Sequence, residues 1–494
     1  EGDTEVILKA YHAWGVDFVS RLNGMFAFVI HERDSNRIIM ARDRLGIKPL
    51  YLDDRDELLR FASSLPALLI SEGIDTDINP IALHHYLHWH AVVPAPHTML
   101  KGITKLPPAT LRVYESNGLF KDTIYWDLDM QKDLSSEILT RDEWVYLLLD
   151  EIRTAVKRRM VADVPVGVLL SGGVDSSLLV GLLAEEGQSG LNTFSVGFEA
   201  VGNEKGDEFY YSDIISKKFN TNHHQIFVPT DNLLDTLPHS IMAMSEPMVS
   251  YDNIGFFLLS QEVSKHVSVV QSGQGADEVF GGYHWYRPLM KSADPVDDYC
   301  SVFFDRTQAE FEHVVHEDFV HHDFSREFVS NFFSKPGADH PVDKALRLDT
   351  TIMLTDDPVK RVDNMTMAWG LEARVPFLDH ELVELAGRIP VNLKVKDEGK
   401  WILKEAAREI IPDEVIDRRK GYFPVPALKY IDGPILKFVR EYLTNDKATK
   451  RKLFKKEYID LLLEEPTTHI TPLRGSKLWQ VALLEMWLQN HGVS

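Results

Sequence analysis

Val164 to Leu170 is a near-continuous apolar run, followed at once by Ser171-Gly172-Gly173-Val174-Asp175-Ser176-Ser177 and a helical stretch that begins near Ser176. A run this apolar suits a strand buried on both faces, the situation of parallel sheets covered by helices. Thr193 to Phe198, Gln225 to Val228 and Val267 to Gln271 repeat the pattern, separated by helical stretches. Alternation of this kind predicts a parallel α/β sheet. Just upstream, Thr140-Arg141-Asp142-Glu143 has the Thr-x-x-Glu spacing of a capping box, which predicts a helix of about five turns to Met160. Beyond Asp294 the pattern is mostly helical.

The part before this has another character. Gly24 to Ile30 and Ile38 to Ala41 are short apolar runs split by a polar turn at Asp34 to Asn36, which reads as a β-hairpin. Tyr51 onward, Arg60 to Ser63 and Ala109 to Tyr114 read as further strands, and Asp127 to Thr140 as a polar linker. At 494 residues the chain exceeds what one hydrophobic core usefully holds. Its 44% apolar and 26% charged residues describe a packed protein and exclude disorder or coiled coil as the dominant state.

Charge narrows the partners. With 53 basic and 75 acidic residues the net charge is −22, which repels a phosphate backbone and argues against nucleic acid. The Lys450-Arg451-Lys452 and Lys455-Lys456 stretch is too short to reverse that and reads as a solvated helix end. No apolar run reaches the length of a membrane span, and no signal-peptide pattern opens the chain. The one cysteine, Cys300, excludes an intrachain disulfide, and the expected compartment is the cytoplasm.

Chemistry concentrates in two loops. In Ser171 to Ser177 the glycines let backbone N–H groups turn toward an anion, the helix N-terminus adds its dipole and the serines add donors. This is a phosphate cradle and not a Walker loop, because no lysine follows the glycines. An aspartate inside an anion cradle makes sense where a divalent cation bridges it to phosphate. Ser272-Gly273-Gln274-Gly275-Ala276-Asp277-Glu278-Val279-Phe280-Gly281-Gly282-Tyr283 follows another apolar strand. Loops after successive parallel strands share one sheet edge, so the two are expected to meet, with Asp175 and Asp277 holding one Mg²⁺.

These loops resemble the pyrophosphate loop and second nucleotide loop of the asparagine synthetase family of glutamine-dependent amidotransferases. Asp363 to Asp379 is similar to that family's long synthetase motif, and Arg418-Arg419-Lys420-Gly421 to its lysine segment. Gly2 to Ile7, Leu22 to Phe28 and Arg42 to Tyr51 are similar to the second half of its glutaminase domain. The resemblance implies two domains. Residues 1 to about 130 would belong to an α/β glutaminase of packed antiparallel sheets, and residues from about 135 to a parallel α/β ATP-pyrophosphatase domain with a helical C-terminal part. It implies that a carboxylate attacks the α-phosphorus of ATP, releasing pyrophosphate, and that ammonia then displaces AMP. Leu169 and Val196 would line the adenine site, and Ser171, Gly172, Gly173, Asp175 and Ser176 would hold pyrophosphate. Ser272 and Gly273 would lie beside AMP, Lys420 would neutralise the phosphates, and Asp3 would receive the amino group of glutamine. The implied partners are ATP, glutamine or ammonia and a carboxylic acid; the resemblance also allows a homodimer.

Two departures shape the expectation. Gln274 stands where asparagine-forming members carry a glutamate as candidate base for ammonia, and glutamine cannot take a proton. With Ser250 to Leu259, this resembles the branch that amidates N-acetylglutaminylglutamine, which is favoured as acceptor over aspartate. The family's N-terminal cysteine nucleophile has no counterpart, since Cys300 reads as an ordinary free cysteine. The expectation is a missing preceding segment, and a polypeptide that takes free ammonia without hydrolysing glutamine. Ring closure as in β-lactam synthetases and a non-catalytic nucleotide-binding role are the alternatives.

His84, His85, His88 and His90 cluster on an expected helix, and His84 with His88 has metal-pair spacing. No cysteine or neighbouring carboxylate completes a shell, so they read as structural or exposed histidines, as do His313, His316, His321 and His322.

Overall fold

The computed structural model describes residues 2–55, 58–132, 138–198, 209–228, 231–418, 428 and 431–493. The first part of the chain supplies strands β1 (Ala27–Glu32), β2 (Arg37–Arg42), β3 (Tyr51–Asp53), β4 (Arg60–Ala62), β5 (Thr104–Lys105), β6 (Thr110–Tyr114) and β7 (Phe120–Ile124). They form two sheets, β1-β2-β6-β7 and β4-β3-β5, with antiparallel neighbours throughout. Successive strand residues face opposite sides. Ile39 packs with Phe18, Ile30 and Leu111 beneath the helix Asp3–Trp14, while its neighbour Met40 packs with Leu50, Leu52 and Leu106. Both are fully buried, so this sheet is covered on both faces where β2 runs. The predicted hairpin is β1 and β2. The edge strand β7 escaped notice because all its residues are exposed and it has no apolar run.

The second part carries β8 (Val166–Leu169), β9 (Asn192–Phe198), β10 (Asn222–Val228), β11 (Val269–Gln271) and β12 (Glu372–Arg374) in one sheet. All pairs are parallel and the order is β10-β9-β8-β11-β12. From β8 the chain therefore builds outward through β9 and β10, then crosses back to lay down β11 and β12 on the other side. Such a reversal of direction opens a crevice at the carboxyl ends of the two central strands. The capping box closes as predicted: Thr140 accepts from Glu143 N–H, Glu143 accepts from Thr140 N–H, and the helix spans Arg141–Arg158. A cap of this kind contributes about 1 kcal/mol. The helix after β8 starts at Val174, two residues earlier than expected.

The two parts are tied at depth. The helix Pro80–His88, capped by Asn79, has every residue from Ala82 to His88 buried. Tyr86 Oη donates to Gln480 O at 2.8 Å, and Gln480 Nε2 donates back to Tyr86 O at 2.9 Å. Arg306 Nη1 donates to Leu87 O at 2.7 Å. Nearby, Lys105 of β5 meets Glu246 at 2.9 Å and Asp356 at 2.5 Å, and Lys360 approaches the same two carboxylates at 3.5 and 3.4 Å. All four side chains are buried. Lys48 also reaches Asp363 at 2.7 Å, joining two of the quoted motifs. The expected boundary near 130 to 135 falls partly on residues 133–137, outside the described residues.

Among the described residues, no helix is long and apolar enough to cross a membrane.

Candidate active site

The loops after β8 and β11 flank the crevice and touch. A Cβ on Gly273 would lie 3.0 Å from both Asp175 Cβ and Ser176 N, so a side chain there would push the second loop back from the first. Leu169, Ser171, Gly173, Asp175, Ser176, Val196, Ser272, Gly273, Gln274 and Asp277 all line one cavity here. Gly172, with φ 71°, has its open side against Tyr211 and Ser212 of the helix Phe209–Phe219, where a Cβ would collide. Ser171 N–H and Gly173 N–H point at hydroxyls of the same loop, donating to Ser176 Oγ at 3.2 Å and Ser171 Oγ at 3.3 Å. These are the donors an anion would recruit, at the N-terminus of the helix Val174–Glu185.

Between the loops stands a residue that sequence reasoning missed. Lys400 Nζ lies 2.9 and 2.7 Å from the two Asp175 oxygens and 3.0 Å from Asp277 Oδ1. Its backbone is left-handed, with φ 52°, just ahead of the helix Trp401–Ala407. For a lysine that conformation is uncommon and costs energy, which the surrounding contacts must offset. Gly282 makes room: a Cβ there would collide with the Asp277 carboxylate. Burial works against charge on Lys400, but Asp175 and then Asp277 outweigh it and raise its pKa. Nothing in the local run Gly399-Lys400-Trp401 distinguishes this lysine from a surface one, so no sequence signal marked it.

The two carboxylates converge on one point, and an all-oxygen pair suits a hard divalent cation as well as an ammonium. Further charge stands at the rim. Arg418 and Lys404 line the cavity, and Arg418 stacks on Tyr211 with its guanidinium carbon 4.5 Å from the ring centroid. Burial, and then the Lys400 charge, push Lys404 below the usual lysine range. Lys420 lies outside the described residues. From the helix Asp252–Val263 come Asp252, Phe256 and Leu259. Burial raises Asp252 to about 6, against the opposing charge of Arg361 at 4.0 Å.

Asp3 and Cys300 lie outside this cavity. Asp3 is exposed in the first turn of the helix Asp3–Trp14. Cys300 is buried, and its thiol is pushed up to about 12 by that burial, which leaves it protonated and inert.

A strand, a glycine loop and a helix at the reversal of a parallel sheet, with cationic side chains gathered over the loop, define a nucleotide-binding α/β enzyme. Comparison with known proteins narrows the class. Residues 147–489 match the asparagine synthase family, and residues 1–126 match the glutamine amidotransferase domain. The chain is 30% identical to asparagine synthetase [glutamine-hydrolyzing] 1 of Bacillus subtilis, over 99% of this chain and 80% of that protein. It is 37% identical to a putative asparagine synthetase of Methanocaldococcus jannaschii, over 57% of this chain and 54% of that one. Amidase chry2 of Gibberella zeae is 25% identical over 90% of this chain and 75% of its own length. The chain belongs to the asparagine synthetase family, the ATP-dependent carbon–nitrogen ligases that take nitrogen from glutamine.

Proposed function

We propose that this chain amidates a small carboxylic acid through an acyl-adenylate, with N-acetylglutaminylglutamine favoured over aspartate as acceptor. The observation that carries the chemistry is the Lys400 ammonium held between Asp175 and Asp277, beside the donors of the Ser171 to Ser176 loop. In this reading Leu169 and Val196 border the adenine, and Ser171, Gly172, Gly173, Asp175 and Ser176 hold the β- and γ-phosphates. Ser272 and Gly273 flank the α-phosphate. An acceptor oxygen attacks Pα, an O–P bond forms, the Pα–O–Pβ bond breaks, and Lys400 with Arg418 and Lys420 stabilises the departing pyrophosphate charge. Asp175 and Asp277 would be the residues to hold Mg²⁺, which would supply additional neutralisation of phosphate charge. Ammonia then bonds to the acyl carbon, AMP leaves, and one proton leaves the new C–N nitrogen. Residues 1 to about 130 belong to the glutaminase part, with Asp3 at the glutamine amino group. From about residue 135 the synthetase part receives ammonia through the interior, shielded from water.

Gln274 supports the choice of acceptor: it lines the cavity with a neutral amide where the resemblance has a carboxylate. Pyrophosphate release from MgATP with ¹⁵N-ammonium tests the reading directly. Release with N-acetylglutaminylglutamine and a labelled amide product supports it. Release with aspartate alone makes aspartate the acceptor, and a product without label points to ring closure. The variant Gln274→Glu should shift the ratio of rates with aspartate and with the dipeptide toward aspartate; an unchanged ratio removes Gln274 from acceptor choice.

Asp252 takes the proton that Gln274 cannot. A carboxyl titrating at about 6 is protonated below that pH and able to accept above it. The wild-type to Asp252→Asn ratio of amidation rates, in which the ammonium equilibrium cancels, should therefore rise as pH passes through about 6. A ratio flat across that range would assign the proton to another group.

A further inference from the structure

His84 and His88 lie one turn apart on the helix Pro80–His88, and both side chains are buried. Their rings stack with centroids 4.7 Å apart. No carboxylate is near them in sequence, but the fold brings one. Asp323, which caps the helix Phe324–Phe333, places Oδ1 3.9 Å from His84 Nε2 and Oδ2 3.9 Å from His88 Nε2. One ligand atom from each of the three residues lies within 4.8 Å of the others.

Several features point to an ion. Among the described residues neither ring nitrogen of His88 makes a hydrogen bond, and its Nδ1 is a buried atom without a partner. His88 Nε2, the nitrogen that faces the Asp323 carboxylate, is the atom an ion would take; Nδ1 lies on the far side of the ring. Support beyond the ligands is in place. His84 Nδ1 is 3.0 Å from Ser325 Oγ, which is 2.9 Å from His85 Nδ1. Without metal, His84 Nε2–H donates to Gln308 Oε1 at 3.0 Å. With metal on Nε2, the His84 proton sits on Nδ1 and donates to Ser325, whose hydroxyl donates onward to His85, so no proton is gained or lost. A hydroxyl or carboxylate behind a ligating histidine is the usual orienting arrangement.

We propose that His84, His88 and Asp323 form a binding site for a divalent transition-metal ion, Zn²⁺ by donor type, that fastens the first part of the chain to the C-terminal helices. Tetrahedral zinc with bonds near 2.1 Å sets ligand atoms about 3.4 Å apart, so the three atoms, which lie within 4.8 Å of one another, must draw together on binding. Asp323, whose side chain is 25% exposed, can move toward the imidazoles by giving up the Arg326 N–H bond to its Oδ1. Gln308 Oε1 or a water completes the fourth position. The site stands apart from the nucleotide crevice and is independent of the ligase reading.

The test uses the full chain, stripped with chelator and titrated with Co²⁺. A visible ligand-field band saturating at about one equivalent, displaced by Zn²⁺, is expected. It should vanish in His88→Gln and in Asp323→Asn, and Zn²⁺ should raise the Tm of the wild type but not of Asp323→Asn. Because His88 is buried, its variant may be replaced by Asp323→Asn alone if circular dichroism shows misfolding. A folded wild type without the band overturns the proposal, and so does a band that survives in folded Asp323→Asn.

Discussion

Replacing Lys400 by methionine should lower pyrophosphate release by about 10²–10³-fold, the size of effect seen when one preorganised charge-stabilising donor is removed. Methionine keeps most of the stem, so the cavity wall survives while the ammonium between Asp175 and Asp277 is lost. The raised pKa means that Lys400 is fully charged at any pH below the ordinary lysine value, and its contribution to stability fades only as the solution becomes strongly alkaline. At neutral pH the variant therefore tests charge rather than titration. Asp175→Asn is the companion change, with the same loss expected and the fold retained. Single-turnover release at saturating MgATP separates loss of chemistry from loss of binding. Normal release by either folded variant would remove that residue from the reaction.

The largest expected effect on stability is at Lys105. Its ammonium is buried between Glu246 and Asp356, so Lys105→Met leaves two buried carboxylates sharing Lys360. Breaking a buried pair from one side costs about 3–5 kcal/mol, because the remaining charge is desolvated without compensation. Urea denaturation should report that loss as a lowered midpoint. Adding Glu246→Gln to Lys105→Met should recover part of it, since one of the stranded charges disappears with its partner. If the single variant is as stable as the wild type, the cluster does not hold the two parts together.

What could be read without coordinates was local. The capping box at Thr140 and the strand–loop–helix unit from Val166 to Glu185 are specified by neighbouring residues, and both formed as expected. The meeting of the two glycine loops also followed, because it depends only on parallel strands sharing an edge. Strand β12 escaped because Glu372-Ala373-Arg374 has no apolar run; it is a strand only through its pairing with β11. Lys400 and Asp323 escaped for the same reason at the level of side chains. Each earns its place from partners hundreds or scores of residues away, and residue type alone does not distinguish such a lysine or aspartate from a solvated one.

The helix Pro80–His88 belongs by sequence to the first part, yet its hydrogen bonds go to Arg306 and Gln480 of the second. The enzyme is therefore not assembled from exchangeable cassettes. A chimera that borrowed the amide-donating part from a relative would bring in a foreign helix against Gln480 and Arg306, and would need both surfaces redesigned together. A change of acceptor on this scaffold leaves that seam untouched, because the helix and its partners lie outside the crevice.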